Sequence, residues 1–195
     1  MLTIRHIEKL WDARKYQQLL AELISPRIEA AVASELSHTP SAAALSLIRL
    51  DELNLPQAAI CSRLIRTLLS LQESDGGWGD VATTALCLRA LSLQDGQDVA
   101  IDRGMEYLAN LQQSAGIWPK IPIRRMPEDA LISAFALYQL GDNDHFRRSV
   151  QFDAAFTWFE SHRWTLEPAA QMLWDHARLR APATTTPAAV EPSWS

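Results

Sequence analysis

The fold is decided by the stretch Leu71-Gln72-Glu73-Ser74-Asp75-Gly76-Gly77-Trp78, which recurs forty residues later as Leu111-Gln112-Gln113-Ser114-Ala115-Gly116-Ile117-Trp118. Both copies read Leu-Gln-x-x-x-Gly-x-Trp, and the preceding segments match as well, with Arg63 over Arg103 and Leu68 over Leu108. A fixed period of this size is typical of stacked copies of one supersecondary unit. The sequence therefore predicts a repeat protein.

The unit that repeats is predicted to be a helical hairpin. Prolines stand at the start of several helix-favouring runs and most glycines fall between such runs, as expected for the first turns and the ends of helices. No run alternates with period two, so we expect no sheet. The sequence predicts an all-α fold with helices over residues 3–23, 26–37, 41–53, 57–73, 81–94, 98–113, 128–140, 146–161 and 166–178.

Length and charge limit the organisation of the chain and its partners. A chain of 195 residues can bury one sizeable core, and we place this helical-repeat domain at residues 1–180. Residues 181–195 are broken by prolines and poor in large apolar groups, which predicts a disordered tail. A net charge of −5 with both signs interspersed argues against nucleic acid as a partner. The one basic cluster, Lys120, Arg124 and Arg125, is short and reads as a solvated loop.

The sequence also carries signals about compartment. Nowhere do about 18 apolar residues run uninterrupted, so we expect no transmembrane segment, and the N-terminus lacks the pattern of a signal peptide. Cys61 and Cys87 lie in apolar-periodic helical segments, where a thiol usually behaves as a small buried hydrophobe. These features predict a cytoplasmic protein.

The first helix of the hairpin is present three times, as residues 44–50, 85–91 and 134–140, each with alanine at its head and leucines behind. The third copy is degenerate, because His162-Arg163-Trp164 stands where the Gln/Gly/Trp signature is expected. Its second helix is predicted to carry Phe152, Phe156, Trp158 and Phe159. Residues 119–126 are the one sizeable insertion, and insertions in repeat arrays tend to lie on the binding face.

The three signature residues have a structural interpretation and a functional one. Glutamine at a helix end can bond free backbone groups of the neighbouring turn, glycine permits a positive φ, and tryptophan covers the hairpin junction with one N–H donor. In the functional interpretation, the aromatic faces of Trp78 and Trp118 stabilise a carbocation in a ligand cavity. The repeat-equivalent positions of both tryptophans beside turns favour the structural role.

The signature, following an Arg-x-x-x-x-Leu-x-x-Leu helix, resembles the repeat of the squalene/oxidosqualene cyclases and, more distantly, the repeats of protein prenyltransferase beta subunits. The resemblance covers residues 41–164. It implies an α/α-toroid, in which inner helices surround an apolar cavity and the ligands are terpenoid. A complete ring in that superfamily needs about twice the helices available here, so this chain is expected to form a partial toroid.

The catalytic motif of that family is incomplete here. Residues 80–91 resemble the segment Asp-x-Asp-Asp-Thr-Ala-x-x-Leu-x-Ala-Leu of class II cyclases, and Asp80, Thr84 and Ala85 match it. The two aspartates that form the proton donor are replaced by Ala82 and Thr83, which cannot protonate an alkene. Asp129 occupies the place of Asp80 ahead of the third copy, and we predict that both aspartates are helix N-caps.

The prenyltransferase comparison lacks its metal ligands in the same way. Isoleucine lies near the place of the zinc-binding histidine, and no Cys/His spacing suits zinc. We therefore predict no metal and no cofactor.

Three hypotheses about function remain open on these grounds. The leading hypothesis is a non-catalytic helical-repeat protein that binds an apolar, isoprenoid-like small molecule or, equally, a protein partner. The alternative is a terpene cyclase- or prenyltransferase-like enzyme. Its acid would be one of the carboxyl groups near the repeat turns or would come from another chain, with a pocket lined by the aromatic residues of the third copy. The acids concerned are Asp75, Asp80, Glu128 and Asp129, and the aromatic residues are Phe152, Phe156, Trp158 and Phe159.

A third hypothesis is a structural subunit that completes its ring by pairing with itself, as a homodimer, or with a partner. It predicts an exposed apolar edge on the first or last helix, with Leu173 and Trp174 as the residues concerned.

Overall fold

A computed structural model describes residues 3–24, 29–55 and 58–181. Within these ranges the chain forms α-helices, two 3₁₀ helices and no strand, which confirms the predicted all-α class. The predicted tail lies outside the described residues, except for Ala181. The elements are α1 (Ile4–Asp12), α2 (Tyr16–Leu23), η1 (Glu29–Glu35), α3 (His38–Glu52), α4 (Ala58–Leu71), α5 (Val81–Ser92), α6 (Asp98–Leu111), α7 (Ala130–Leu140), α8 (Asp144–Ser149), α9 (Phe152–His162), η2 (Arg163–Thr165) and α10 (Pro168–Arg180).

Two predicted helices are each divided in the structure. The single helix predicted over residues 3–23 is α1 and α2, separated where Arg14 adopts a left-handed φ of 53° and the Lys15 N–H donates to the Leu10 carbonyl. The helix predicted over 146–161 is α8 and α9, separated by the extended backbone of Val150. The predicted segment 26–37 contains only the 3₁₀ helix η1 in its described part.

The predicted first helices of the repeat, α3, α5 and α7, pack side by side in one row. The alanines at their heads are fully buried, which lets the helices approach closely. Outer helices α4 and α6 pack on α3 and α5, α2 extends the row beyond α3, and α10 extends it beyond α7. In α5 every residue except Arg89 and Ser92 is buried. The middle of the row is therefore enclosed by protein on all sides, and the toroid arrangement stays a prediction.

The two signature turns have the same backbone geometry. In the first, Glu73 N–H donates to the Gly77 carbonyl and Gly76 N–H to the Glu73 carbonyl. In the second, the equivalent bonds join Gln113 to Ile117 and Gly116 to Gln113. The signature glycines have φ values of 94° and 82°, a left-handed conformation that side chains with a Cβ rarely adopt.

The signature tryptophans join each turn to the helix that precedes it. The Trp78 indole N–H donates to the Leu68 carbonyl at 2.9 Å, and the Trp118 indole N–H donates to the Leu108 carbonyl at 2.8 Å. Both side chains are almost fully buried. The backbone N–H groups of the two tryptophans donate to equivalent hydroxyls at the start of the next inner helix, those of Thr84 and Ser133. The structural role predicted for tryptophan is confirmed.

The signature glutamines join each turn to the next outer helix. Gln72 Nε2 donates to the carbonyls of Gly76 and Ala100, at 2.9 and 2.8 Å. Gln112 Nε2 donates to the Gly116 carbonyl at 2.9 Å, and its Oε1 accepts from the Gln151 N–H at 2.7 Å. Ala100 lies in α6 and Gln151 immediately precedes α9, so in both copies the side chain of the signature glutamine is bonded to the start of the next outer helix. The outer helix of the third copy is therefore α9.

The last helix does not present the predicted apolar edge. Leu173 and Trp174 are buried, with 0% and 1% of their surface exposed. The Trp174 ring stacks on Phe159 with a centroid separation of 4.8 Å, and its N–H donates to a Glu160 carboxylate oxygen at 3.1 Å. The edge predicted at these two residues is wrong, because α10 turns them against α7 and α9 rather than towards solvent.

Replacing the glycine of the second turn is expected to destabilise the protein strongly. A Cβ on Gly116 would lie 2.3 Å from the backbone nitrogen of Ala155, which cannot move without displacing α9. We expect Gly116→Ala to lower the free energy of unfolding by about 3 kcal/mol or more. Gly96→Ala is the control, since Gly96 has a similar φ of 79° but no atom within 4 Å of the added Cβ. It should cost only the left-handed strain, about 1–2 kcal/mol. Equal losses in urea unfolding would contradict the close packing.

The two glutamines offer a matched comparison. Gln112 is 1% exposed, whereas Gln72 is half-buried. Gln112→Ala leaves buried backbone groups without partners and should cost about 2–3 kcal/mol, while water can replace Gln72, so that Gln72→Ala should cost about 1 kcal/mol. Thermal or urea unfolding of both variants measures the difference, and the reverse order would show that burial does not determine the strength of this link.

Candidate functional site

One pocket brings together three of the predicted site residues. Glu128, Asp129 and Trp158 line a surface pocket of about 560 Å³, which we call the α7–α10 pocket. It lies where the N-terminal ends of α7 and α10 meet the C-terminal half of α9 and the base of the insertion. Its remaining lining residues are Lys120, Ala130, Leu131, His162, Thr165, Leu166, Glu167, Ala169 and Ala170.

The insertion is fixed at its base, which positions one wall of the pocket. Pro119 and Glu128 form an isolated antiparallel bridge, and the Asp129 N–H donates to the Trp118 carbonyl at 2.9 Å. Gln113 Nε2 also donates a hydrogen bond to the Met126 carbonyl at 2.7 Å. These bonds close residues 119–128 into a loop, and side chains at both of its ends line the pocket.

The opposite wall is built from the third repeat. The Trp158 ring stacks on the His162 ring with centroids 4.3 Å apart and an interplanar angle of 19°. The His162 ring nitrogen Nδ1 lies 2.8 Å from the Trp158 carbonyl oxygen, which holds the histidine over the indole. Leu166 and the alanines at the start of α10 complete an apolar floor.

The charges at the rim are mainly negative. Glu128, Asp129 and Glu167 line the pocket together with one lysine, Lys120, which is itself paired with Glu35 of η1 at 2.9 Å. The hydrogen bond that Lys120 donates to Glu35 raises the pKa of Lys120, so its charge is retained. The pocket therefore combines an apolar floor with an acidic rim.

Asp129 has the predicted cap role as well as a place in the pocket. Its Oδ1 accepts from the Ile132 N–H at 2.9 Å, which confirms the predicted N-cap of α7. A carboxylate at this position also interacts favourably with the positive end of the helix dipole.

Asp80 lies apart from this pocket in a network of its own. Its Oδ1 accepts from the Thr83 N–H and its Oδ2 from the Thr83 hydroxyl, both at 2.7 Å, so the predicted N-cap of α5 is confirmed. The Ser37 hydroxyl also donates to Oδ2, at 3.4 Å. Burial raises the pKa of the Asp80 carboxyl, and these hydrogen bonds oppose the shift. The fourth predicted acid, Asp75, is exposed and accepts from the Gly77 N–H within its own turn.

The other predicted ligand-binding residues pack within the protein. Trp78 and Trp118 are in the core, together with Phe152 and Phe159. Phe156 is half-buried and its ring meets Trp174 edge-on at 5.0 Å. Trp158 is thus the one aromatic residue of the predicted set that lines the α7–α10 pocket.

Sequence reasoning missed the far side of the pocket. His162, Thr165, Leu166 and Glu167 were not predicted as site residues, although the break in the signature at 162–164 marks the same place. Glu167 directly precedes α10, which begins at Pro168, as Asp129 directly precedes α7, and this shared position is the signal that could have located Glu167.

Within the described ranges no group of three or more His, Cys, Asp or Glu side chains could hold a metal ion. None of the described helices combines the length and apolar character that crossing a membrane requires.

A scan against models of protein families, a search of curated proteins and a search of solved structures each found no match for this chain. The resemblance to the cyclase and prenyltransferase repeats therefore stays a prediction that rests on the residues quoted above.

The environment of Asp80 predicts an unusual pH dependence. Because its pKa is raised above the ordinary 3.8 in the folded state, the folded protein holds this proton more tightly than the unfolded chain. The contribution of Asp80 to the free energy of unfolding therefore falls as the pH rises from 3.8 through the folded pKa. Urea unfolding across this range should show wild type losing stability relative to Asp80→Asn as the pH rises. A constant or opposite difference would refute the assignment.

Asp80→Ala provides the control for the cap itself. Asparagine is as good an N-cap as aspartate, whereas alanine removes the acceptor of the Thr83 N–H and should cost about 1–2 kcal/mol at neutral pH.

Proposed function

We propose that this protein is a non-catalytic helical-repeat protein that binds an apolar small molecule bearing a positive charge in the α7–α10 pocket. The observation that carries the proposal is the combination, in one pocket, of an apolar floor at Trp158 and Leu166 with the carboxylates of Glu128, Asp129 and Glu167.

The size and lining of the pocket support a small ligand. Sites for small molecules usually measure about 300–1,000 Å³ and combine mainly apolar walls with a few polar groups that fix orientation. The volume of about 560 Å³ lies within that range. An isoprenoid-like chain is the apolar group that the resemblance to the cyclase repeats implies.

The acidic rim supports a cationic group on the ligand. Three carboxylates surround a space whose single lysine is already paired with Glu35. Trp158 contributes ring surface beside these carboxylates, and His162 stacks on one face of its indole. A carboxylate or phosphate ligand would meet repulsion at the same rim.

The enzyme alternative finds two of its four acids at this pocket, Glu128 and Asp129. Asp129 is occupied as the N-cap of α7, and Asp80 lies in a separate hydrogen-bond network. Protonation of an alkene needs a carboxylic acid held neutral beside the substrate. These arrangements support binding without catalysis over a cyclase-like reaction.

A protein partner is the second candidate ligand, and exposed apolar side chains favour it. Ile121 and Ile123 of the insertion are 47% and 54% exposed, and Trp164 is 82% exposed. Ile121 follows the pocket residue Lys120, and Trp164 precedes the pocket residue Thr165. A partner that covers these side chains would contact the rim of the same pocket.

Titration with geranylamine, geraniol and geranic acid tests the proposal, because the three probes share one isoprenoid chain and differ in charge. We expect the amine to bind most tightly in calorimetry and the acid most weakly. Glu128→Gln combined with Glu167→Gln should reduce the preference for the amine over the alcohol by about tenfold, the effect of removing two partly exposed charge interactions.

Two tryptophan substitutions separate pocket binding from surface adsorption. Ala169→Trp places a large ring in the pocket wall and should abolish binding of the amine. Leu179→Trp, on the same helix at a position 81% exposed, should leave it unchanged. Binding that survives Ala169→Trp, or no binding of any of the three probes, would overturn the small-molecule proposal. The isoleucines and Trp164 would then be tested by Ile121→Glu, Ile123→Glu and Trp164→Glu in a search for a protein partner.

A further inference from the structure

A second and smaller cleft lies at the opposite end of the inner row, where α3, α5 and α7 end. It has a volume of about 90 Å³, and its polar lining residues are Arg49, Glu52, Arg89, Tyr138 and Gln139. The α7–α10 pocket is at the N-terminal end of α7, so the two sites share no residue.

Arg89 enters this cleft from the centre of the row without a partner among the described residues. Its Nη1 is buried and makes no hydrogen bond. The neighbouring carboxylates form salt bridges with other arginines. Glu52 pairs with Arg49, and Asp142 pairs with Arg180 at 2.9 Å. Arg89 as a whole is half-buried, but a donor atom that is itself buried without an acceptor is costly.

Gln139 presents a second unused donor to the same cleft. Its side chain is 3% exposed, and its Nε2 has no hydrogen-bond partner in the described part of the chain. Arg89 on α5 and Gln139 on α7 also line the adjoining cleft, which contains Arg180 and Asn143. Two buried donors from neighbouring helices therefore converge on one place and both require an acceptor.

We propose that this cleft binds a small oxyanion, a carboxylate or phosphate group, to which Arg89 and Gln139 donate hydrogen bonds. A guanidinium offers a planar fork of donors that matches both groups. The volume of about 90 Å³ admits one such group and excludes a drug-sized ligand.

The charges around the cleft favour an anion by a small margin. The cations are Arg49, Arg89 and Arg180, and the anions are Glu52 and Asp142, which leaves one net positive charge. Burial and the nearby Arg180 lower the pKa of Arg89, and the negative charge of a bound anion acts in the opposite direction. The C-terminal ends of three helices carry partial negative charge that opposes an anion. Binding therefore depends on Arg89.

The test measures the thermal unfolding of the full chain in rising concentrations of sodium phosphate and sodium acetate, with sodium chloride at matched ionic strength. A specific anion should raise the unfolding temperature in a saturable manner, because a ligand that binds only the folded state stabilises it. Stabilisation by phosphate alone identifies a phosphate group, and stabilisation by acetate alone identifies a carboxylate. No stabilisation beyond that of chloride by either anion would overturn the proposal.

Variants assign the effect to the cleft. Arg89→Met should weaken binding by at least about tenfold, as expected for the loss of a charge-assisted hydrogen bond, and Gln139→Leu should weaken it to a smaller extent. Arg66→Met removes an exposed arginine of α4 and should leave binding unchanged. Without added anion, Arg89→Met should unfold at the same or a higher temperature than wild type, since it removes a donor, Nη1, that is buried without an acceptor. Unchanged anion binding in both Arg89→Met and Gln139→Leu would refute the site.

Discussion

The rest of the structure depends on the hydrogen bond between a tryptophan indole and a carbonyl near the end of an outer helix. This bond fixes the turn of each hairpin against the helix that precedes it, at Trp78 and again at Trp118. The Leu108 carbonyl accepts the indole bond in addition to the bond from the Gln112 backbone N–H, since a carbonyl oxygen has two lone pairs and can accept a second bond without losing the first. The same turn then donates its backbone N–H to the next inner helix and receives the next outer helix through glutamine. One short segment thus orients three helices.

Enclosure of the inner row has a direct bearing on function. Nearly every side chain of α5 is buried among its neighbours, so the middle of the row is a core rather than a surface. The pockets discussed above lie at the two ends of the inner helices, where backbone groups and charged side chains meet solvent. Both proposed binding sites therefore lie at the ends of the inner helices, and the N-terminal and C-terminal ends have opposite electrostatic character. The N-terminal ends carry an acidic rim, while the C-terminal ends carry three arginines.

The features that could be predicted from the sequence are those that follow from the repeating pattern of residues. The helix class, the roles of Gln112, Gly116 and Trp118, and the N-caps at Asp80 and Asp129 all depend on local patterns, and the structure confirms them. The breaks between helices were missed because they have no such pattern, as at Arg14, which adopts a left-handed φ without being glycine. The burial of Trp174 and the pocket wall at Glu167 depend on how α10 packs against α7 and α9, which is a contact between distant segments. Periodicity carries no information about such contacts.

The degenerate third turn determines how far the array can grow. At the position where a signature tryptophan would be buried, Trp164 is 82% exposed and lies beneath the guanidinium of Arg163. Its indole therefore cannot anchor a further hairpin. The helix α10 joins the row without the buried tryptophan that links the preceding turn to α5 and to α7. Regular addition of units stops at η2, so that a single altered turn acts as the terminator of the repeat and leaves an aromatic side chain at the boundary.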